Sequence, residues 1–382
     1  GALNNNTTAS DNTAFGHNAL NANTTGAFNV AVGALALDAN TTGQLNTAVG
    51  YQALTSNTTG EFNTSLGTNA LRDSTTSSHN VGIGRNALMV NTTGAANTAL
   101  GTQSLDSNTT GGANTAVGYV ALHSNTTGVS NVALGYSALA SNTTANQNVA
   151  VGQNALAANT TATLNSALGH DALLSNTTGN QNTAVGGLAL DANTTANANN
   201  AFGVASLSGN TTGTQNCAFG NFTLATNTTA ANNSGFGHNA LALNTTGDEN
   251  TAIGAITLDA CTTGSENTGL GYAALSQATT GNSNTGVGYF AGYDLTTGSN
   301  NLCLGKQAGR TASPSGLLNT DSNVICLGNN NIAAAFVKVA FTTGSDRRDK
   351  TDIKDFKFGL DWVNKMRPVT YRWDNRDWYD NR

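Results

Sequence analysis

Apolar positions recur along this chain with a regular 17-residue period. A glycine marks each period from Gly16 to Gly305 without insertion, which gives eighteen consecutive units. The residue before each of these glycines is large and apolar, and a leucine follows four residues after it from Leu20 to Leu275. A strict period of this kind indicates a repeat architecture in which each unit is completed by its neighbours.

The unit is built from β-structure. Such a unit is too short for a helical hairpin repeat, which needs about 33 residues. The short runs between turn signals alternate Val, Thr and Ala, which is typical of strands. The sequence therefore predicts an all-β fold, a parallel β-solenoid (a β-roll or β-helix) of 17-residue rungs. At ~4.8 Å per rung, eighteen rungs predict a shaft of roughly 80–90 Å.

The apolar phases predict which side chains face inward. The residue before the glycine, as at Val49, Leu66 and Ile83, and the leucine four residues after it are expected to stack inside the coil. The glycine permits the positive φ angles or tight contacts that a corner of the rung needs.

The position two residues before the glycine is small, as at Ala31, Ala48 and Ala99. Two large apolar residues per rung make a thin core, so association of chains would widen it. We therefore predict a homotrimer with the small residues near the interface between chains, since closed symmetry is the usual form of self-association.

The polar phases are equally regular. Asparagine stands four residues before every one of the eighteen glycines, and we predict that Asn46, Asn63, Asn80 and their equivalents form a hydrogen-bonded ladder along the axis. A Thr-Thr pair recurs in every rung, and its two members should point in different directions. Two alternatives stay open at this stage, an ice-binding threonine array and glycosylation of the Asn-Thr-Thr sequence.

The amino-acid composition limits the classes of function that are expected for this chain. Only 9% of residues are charged and 6% are aromatic, and 44 glycines stand against two prolines. The regular apolar residues argue against disorder, and the shaft has no basic stripe, so no nucleic-acid partner is expected. No apolar run approaches ~18 residues, so no membrane insertion is expected. Gly1 lies in mid-repeat, so we expect further sequence before it.

The four cysteines predict no metal site. Cys217, Cys261, Cys303 and Cys326 contain no C-x-x-C pair, and small buried apolar residues are the favoured interpretation. The sequence predicts no cofactor and no metal.

The pattern changes near the carboxy-terminus, and three regions are predicted. Residues 1–310 form the shaft. Residues 311–344 form a transition with irregular last rungs and a pair of strands around Phe336 to Phe341. A boundary is expected at Ser345 because the charge density rises sharply there, with ten basic and eight acidic residues in 38 positions. Residues 345–382 are predicted to form a small α+β segment, with a short helix on the apolar face of Leu360, Val363 and Met366 that ends before Pro368 and a strand after it.

That last segment carries a resemblance. Ser345, Asp346 and Arg347 are followed by Lys350 and Ile353, and then by L-D-W-V-N-K-M-R-P-V-T-Y-R-W from Leu360 to Trp373. This stretch resembles the start of the intramolecular chaperone domain at the ends of phage tail fibres and endosialidase tailspikes. The rungs in turn resemble the β-roll heads of trimeric autotransporter adhesins, whose coils have a shorter period.

The chaperone resemblance implies a function for named residues. In that family the domain trimerises, sets the register of the β-shaft and then cuts itself off. Carried over, Ser345 would be the nucleophile, Lys350 its base, and Ser345–Asp346 the scissile bond, because a lysine of lowered pKa can accept a serine proton. At most this is single-turnover autoproteolysis.

The leading hypothesis is the shaft of a phage tail fibre or spike, located in the virion, that presents or forms a surface for a host receptor or glycan. The alternative is a trimeric adhesin or extracellular filament of a bacterial cell surface. A tailspike glycosidase would need paired carboxylates, and the rungs offer only scattered acids: Asp38, Asp106, Asp191 and Asp259.

Overall fold

The computed structural model describes residues 1–334, and within that range it consists of nineteen three-residue strands, turns and bends without a helix. No membrane-spanning helix is found there. The strands are β1 Thr13–Phe15, β2 Val30–Val32, β3 Thr47–Val49, β4 Thr64–Leu66, β5 Val81–Ile83, β6 Thr98–Leu100, β7 Thr115–Val117, β8 Val132–Leu134, β9 Val149–Val151, β10 Ser166–Leu168, β11 Thr183–Val185, β12 Asn200–Phe202, β13 Cys217–Phe219, β14 Ser234–Phe236, β15 Thr251–Ile253, β16 Thr268–Leu270, β17 Thr285–Val287, β18 Leu302–Leu304 and β19 Ile325–Leu327.

Each strand pairs in parallel with the next one along the chain, so all nineteen form a single sheet. The register is one rung, as in Thr47↔Thr64 and Ala48↔Ser65. This offset is constant up to β18, and it is longer only in the last pairing, where Leu302 meets Ile325. At ~4.8 Å per step the sheet is roughly 85 Å long. The predicted parallel β-solenoid of 17-residue rungs is thus confirmed, with strands of three residues each.

The core is a column of leucine and alanine. In the rung of β3, Ala48, Ala53 and Leu54 are all fully buried, and the same three phases are buried along the shaft. The inward strand position must be small because the leucine opposite already fills the coil. A Cβ on Gly82 would lie 3.2 Å from Cγ of Leu71, which is close even for that first side-chain atom.

The predicted inward stack of Val49, Leu66 and Ile83 is wrong. These are the third residues of their strands, and they point outward, with Leu66 47% exposed. Adjacent strand residues face opposite sides, and only the small middle residue fits opposite the leucine. The predicted leucine stack itself is confirmed.

The predicted role of the small phase is also wrong. Ala31, Ala48 and Ala99 were expected near an interface between chains, but they are fully enclosed within a single coil. Their size is set by the core of their own chain, so they present no surface to another copy.

Much of the rung has positive φ, which allows so short a unit to close into a coil. Gly50 has φ 139°, and a Cβ there would stand 2.5 Å from the carbonyl oxygen of Gly67. Gln52, Leu54 and Phe62 are left-handed, with φ of 55°, 54° and 58°. L-residues avoid this region, so neighbouring rungs must hold it: the Leu54 N–H donates to Ala70 O at 3.0 Å.

The predicted asparagine ladder is confirmed. The backbone N–H and the side-chain amide of Asn63 donate to Oδ1 of Asn46 at 3.0 and 3.1 Å, and Asn80 bonds in the same way to Asn63. These side chains are buried. Because buried polar groups are costly without partners, the strict asparagine phase has a structural cause.

A second asparagine ladder runs through the Asn-Thr-Thr sequence. Asn57 Nδ2 donates to Asn40 Oδ1 at 2.8 Å and to Gly60 O at 3.0 Å. The first threonine of the pair is tied to the next rung, as Thr41 Oγ1 donates to Thr58 O at 3.0 Å. The second, such as Thr42, is exposed. The two threonines therefore point in different directions, as predicted.

Candidate functional site

The burial of the ladder asparagines argues against glycosylation of the Asn-Thr-Thr sequence. Asn40 and Asn57 begin Asn-Thr-Thr sequences, yet both side chains are fully buried and hydrogen-bonded. A folded rung therefore offers no asparagine amide for glycosylation at these positions. The exposed second threonines form one row along the shaft, and an ice-binding role for that row stays a less favoured alternative.

The scattered acids do not form a catalytic pair. Asp38, Asp106 and Asp191 occupy the same phase, and each has a buried carboxylate oxygen without a hydrogen-bond partner. Successive members of this phase stand at least four rungs apart, or roughly 19 Å. Glycosidase carboxylates stand about 5–9.5 Å apart, so these residues cannot cooperate on one glycosidic bond.

Two of these carboxyl groups have perturbed acidity. Burial raises the pKa of Asp106, and the nearby His123, Arg72 and Arg85 oppose that rise. The His123 Nδ1 atom lies 3.9 Å from the Asp106 carboxylate. Burial also raises the pKa of Asp191, partly offset by backbone N–H groups. Burial is the largest cause of both shifts, so we interpret them as consequences of the rung geometry.

Aromatic side chains mark the outer surface after the glycine corner. Tyr119 and Tyr136 stack with ring centroids 5.7 Å apart, and Tyr272 and Tyr289 stack at 5.6 Å. All four are about half exposed. Side chains in the same phase meet because consecutive rungs repeat in register, so the regular coil produces short aromatic ladders.

The last rungs carry the densest cluster of this kind. Phe290 packs edge-to-face on Tyr289 and Tyr293 at 4.4 and 4.9 Å. The Arg310 guanidinium lies 4.8 Å from the Tyr293 ring centroid, and its Nε donates to Asp294 Oδ2 at 2.9 Å. A cavity of about 230 Å³ is partly lined by Arg310. Flat aromatic and charged groups side by side can make polar and stacking contacts.

The extra residues before β19 are accommodated beside two cysteines. Cys303 and Cys326 are register partners inside the coil, and the Gly309 N–H donates to Cys326 Sγ at 3.0 Å. Burial raises the pKa of Cys303 to about 12 and that of Cys261 to about 11. These thiols are protonated at neutral pH, as expected for packed rather than reactive cysteines.

Within residues 1–334, no group of three or more His, Cys, Asp and Glu side chains comes together. The predicted nucleophile Ser345, its predicted base Lys350 and the strands around Phe336 to Phe341 lie outside the described residues. The described shaft has two features that sequence reasoning missed: the outward apolar row on the strands, and the aromatic cluster around Phe290.

Comparison with known families places the carboxy-terminal segment. Residues 345–382 match the family described as chaperone of endosialidase. A comparison with curated proteins returned no match. The molecule is therefore a structural β-solenoid followed by a carboxy-terminal segment that matches the endosialidase chaperone family.

Proposed function

We propose that this chain is the shaft of a phage tail fibre or spike, carried in the virion and assembled with the help of its own carboxy-terminal chaperone. The observation that carries the proposal is the sequence order of two features. Nineteen in-register strands, the last ending at Leu327, are followed from Ser345 onward by a segment that matches the endosialidase chaperone family.

The rungs suit a stiff spacer. Each rung is bonded to the rungs before and after it through the sheet, two asparagine ladders and the threonine hydroxyls. Such quasi-one-dimensional structures gain their stability from nearest-neighbour contacts. A rod of roughly 85 Å results, which separates whatever precedes it from whatever follows.

The chaperone segment acts on assembly. It holds three chains together while their rungs find a common register, and it then releases itself. The Ser345 hydroxyl attacks the carbonyl carbon of the Ser345–Asp346 bond, and Lys350 accepts the serine proton and passes it to the leaving Asp346 amine as the C–N bond breaks. Water then hydrolyses the ester that is left on Ser345. The order of the chain supports this role, because the segment comes after the last rung and can act on a completed shaft.

The surface of the shaft contributes to host recognition. The exposed aromatic ladders and the Phe290–Arg310 cluster provide stacking and polar groups for a receptor or glycan. The narrow row of exposed threonines lacks comparable chemical variety.

Two measurements test the proposal. Light scattering on the full chain should give three times the chain mass, and electron microscopy should show rods of roughly 85 Å or slightly longer. Antibodies against the shaft should label tail structures of virus particles. Labelling of bacterial cell surfaces instead would favour the adhesin alternative, and a compact particle would contradict both.

A further inference from the structure

The outer face of the sheet carries a continuous apolar row. We call this row the outer ridge and define it as the third residue of each strand from β1 to β19. All nineteen are Val, Leu, Ile or Phe. Leu66, Leu100, Leu134 and Leu168 are 45–50% exposed. The row follows one straight side of the shaft because every strand pairs in register.

The ridge is also free of charge. None of the nineteen strands contains Asp, Glu, Lys or Arg, and Arg72, Asp73 and Asp106 occupy other phases of the rung. Apolar composition with depleted charge is what distinguishes the centre of a protein interface from ordinary surface. Isolated exposed hydrophobic residues are common, but an unbroken row over nineteen rungs is larger than the usual patch on a monomer.

The area is sufficient for stable association. Ten of the nineteen side chains are exposed and nine are half-buried. At an average of roughly 50–70 Å² each, the ridge amounts to about 950–1,300 Å² per chain, above the ~800 Å² per partner of a standard interface. An occupant must match a repeat of ~4.8 Å over roughly 85 Å. Another copy of this chain has that repeat and that length, whereas a globular partner would cover only part of the row.

We propose that copies of this chain pack through the outer ridge, parallel and in register, with three ridges meeting along a common axis. This inference rests on the proposed trimer and assigns its interface to Leu66, Leu100, Leu134 and their equivalents. This interface takes the place of the one predicted at the small residues, which the coil encloses.

A block of three phenylalanines sets the register. Phe202, Phe219 and Phe236 occupy consecutive ridge positions and stack at 4.5 and 5.0 Å. On either side of the block the ridge returns to aliphatic residues, Val185 and Ile253. A slip of one rung would set a phenylalanine against a valine or isoleucine at each end of the block. Closely packed interfaces tolerate such size mismatches poorly, so the in-register arrangement is favoured.

The first test compares two triple variants of the full chain. Leu66→Asp, Leu100→Asp and Leu134→Asp place three charges per chain on the ridge. The matched control is Leu45→Asp, Phe62→Asp and Leu164→Asp, at residues 46, 47 and 49% exposed. The control residues have φ of 57°, 58° and 61°, a conformation that aspartate tolerates. Circular dichroism checks that both variants keep the coil.

Dissociation of the assembly is measured by light scattering across a dilution series. The ridge variant should dissociate at a concentration at least ~100-fold higher than the wild type, because like charges would be buried together, and the control should shift by less than threefold. A wild type that is monomeric throughout overturns the proposed trimer as well. A trimeric wild type with an unaffected ridge variant overturns this inference alone and leaves the trimer standing.

The second test reports register. Leu66→Cys is made in a background where Cys217, Cys261, Cys303 and Cys326 are replaced by alanine, and the protein is treated with a short bismaleimide. Position 66 links to position 66 only where copies lie side by side in register. Covalent dimers are expected for Leu66→Cys and not for Leu45→Cys, because a bismaleimide joins two thiols and each chain carries one. Equal linking at both positions, or linking at position 45 alone, overturns the assignment.

Discussion

Asn63 places both its backbone N–H and its side-chain amide on one oxygen, Oδ1 of Asn46, at 3.0 and 3.1 Å. The two residues are one rung apart, and each is buried. The same amide of Asn63 donates to Ser77 O at 2.9 Å. One side chain thus connects three segments of backbone, which explains why all eighteen rungs from Asn12 to Asn301 keep it.

Asn63→Ala should destabilise the shaft by about 2–5 kcal/mol, because it leaves the Asn80 N–H and the Ser77 carbonyl without partners in a buried site. Chemical denaturation measures the effect. The control is Asn221→Ala, at an exposed asparagine that accepts only the Val204 N–H, where a change below ~0.5 kcal/mol is expected. Equal effects at both sites would contradict a special role for the ladder.

Gly50→Ala should be severely destabilising, by more than ~3 kcal/mol, because φ is 139° and the new Cβ would lie 2.5 Å from the Gly67 carbonyl oxygen. Gly187→Ala is the matched control, since its Cβ would meet nothing closer than 3.9 Å. There a neutral or slightly stabilising effect is expected from the less flexible unfolded chain. Thermal unfolding of the two variants decides the matter, and a tolerated Gly50→Ala would mean that the corner can relax.

One irregular rung can be made regular by mutation, which tests the contribution of the second asparagine ladder. Ser74 takes the place of the second-ladder asparagine, and the Asn57 Oδ1 atom is left without a partner. Ser77 stands where neighbouring rungs have glycine, and its hydroxyl contacts Ser74 and accepts from Asn80 and Asn91. Ser74→Asn with Ser77→Gly should restore the ladder and stabilise by about 1–2 kcal/mol.

The two serines should be coupled. Ser77→Gly alone removes an acceptor for two buried amides, so it should destabilise the shaft. A double-mutant cycle by denaturation measures the interaction. Additive single effects would show that Ser74 and Ser77 act independently.

Stability should depend on pH through Asp191. Burial raises the pKa of this carboxyl above its ordinary value of 3.8, so the fold favours the protonated form. That stabilisation is fully present below the unfolded pKa and is lost as pH rises through the higher folded pKa. Asp191→Asn should therefore gain stability relative to the wild type as pH rises from 3 to 7. Unfolding midpoints across this range measure it, and a constant difference at every pH would exclude the linkage.

Self-release is predicted for the chain in its full natural length. Ser345→Ala and Lys350→Ala should each block cleavage at Ser345–Asp346, since proton transfer needs both side chains. A denaturing gel should show one long band for either variant and two bands for the wild type. Trimer mass should change little. Cleavage that persists in both variants would remove the proposed pair.

The sequence was sufficient to predict the coil, the rung length and the asparagine ladder because these depend on periodicity alone. It misplaced Val49 and Ala48 because alternation shows only that the two face opposite sides. Hydrophobicity favoured valine inside, whereas the space opposite the leucine admits only a small residue such as Ala48 or Ser65. The left-handed φ of Leu54 is also hidden, since leucine seldom adopts it.

The candidate site could be predicted less well from the sequence than the fold. Tyr293 and Arg310 share one phase in consecutive rungs, so the period alone places them side by side, whereas Phe290 lies in another phase and meets both only after the coil has closed. No spacing rule in a single sequence reports such a contact. Ser345 and Lys350 were identified by resemblance, and their roles stay predictions.

Neighbouring rungs of this shaft are joined by the same strand pairing and by the asparagine ladder that contains Asn46 and Asn63, so the number of rungs can vary without changing this pattern. Removing or adding one whole rung would shorten or lengthen the rod by ~4.8 Å and keep the strand register and the ladder. An insertion of another size breaks the ladders, and within residues 1–334 the one departure from the regular period falls between β18 and β19, at the last strand of the sheet. Related shafts could therefore differ in reach by whole rungs while keeping one cross-section, which would let the distance between the two ends change in steps without redesign of the coil.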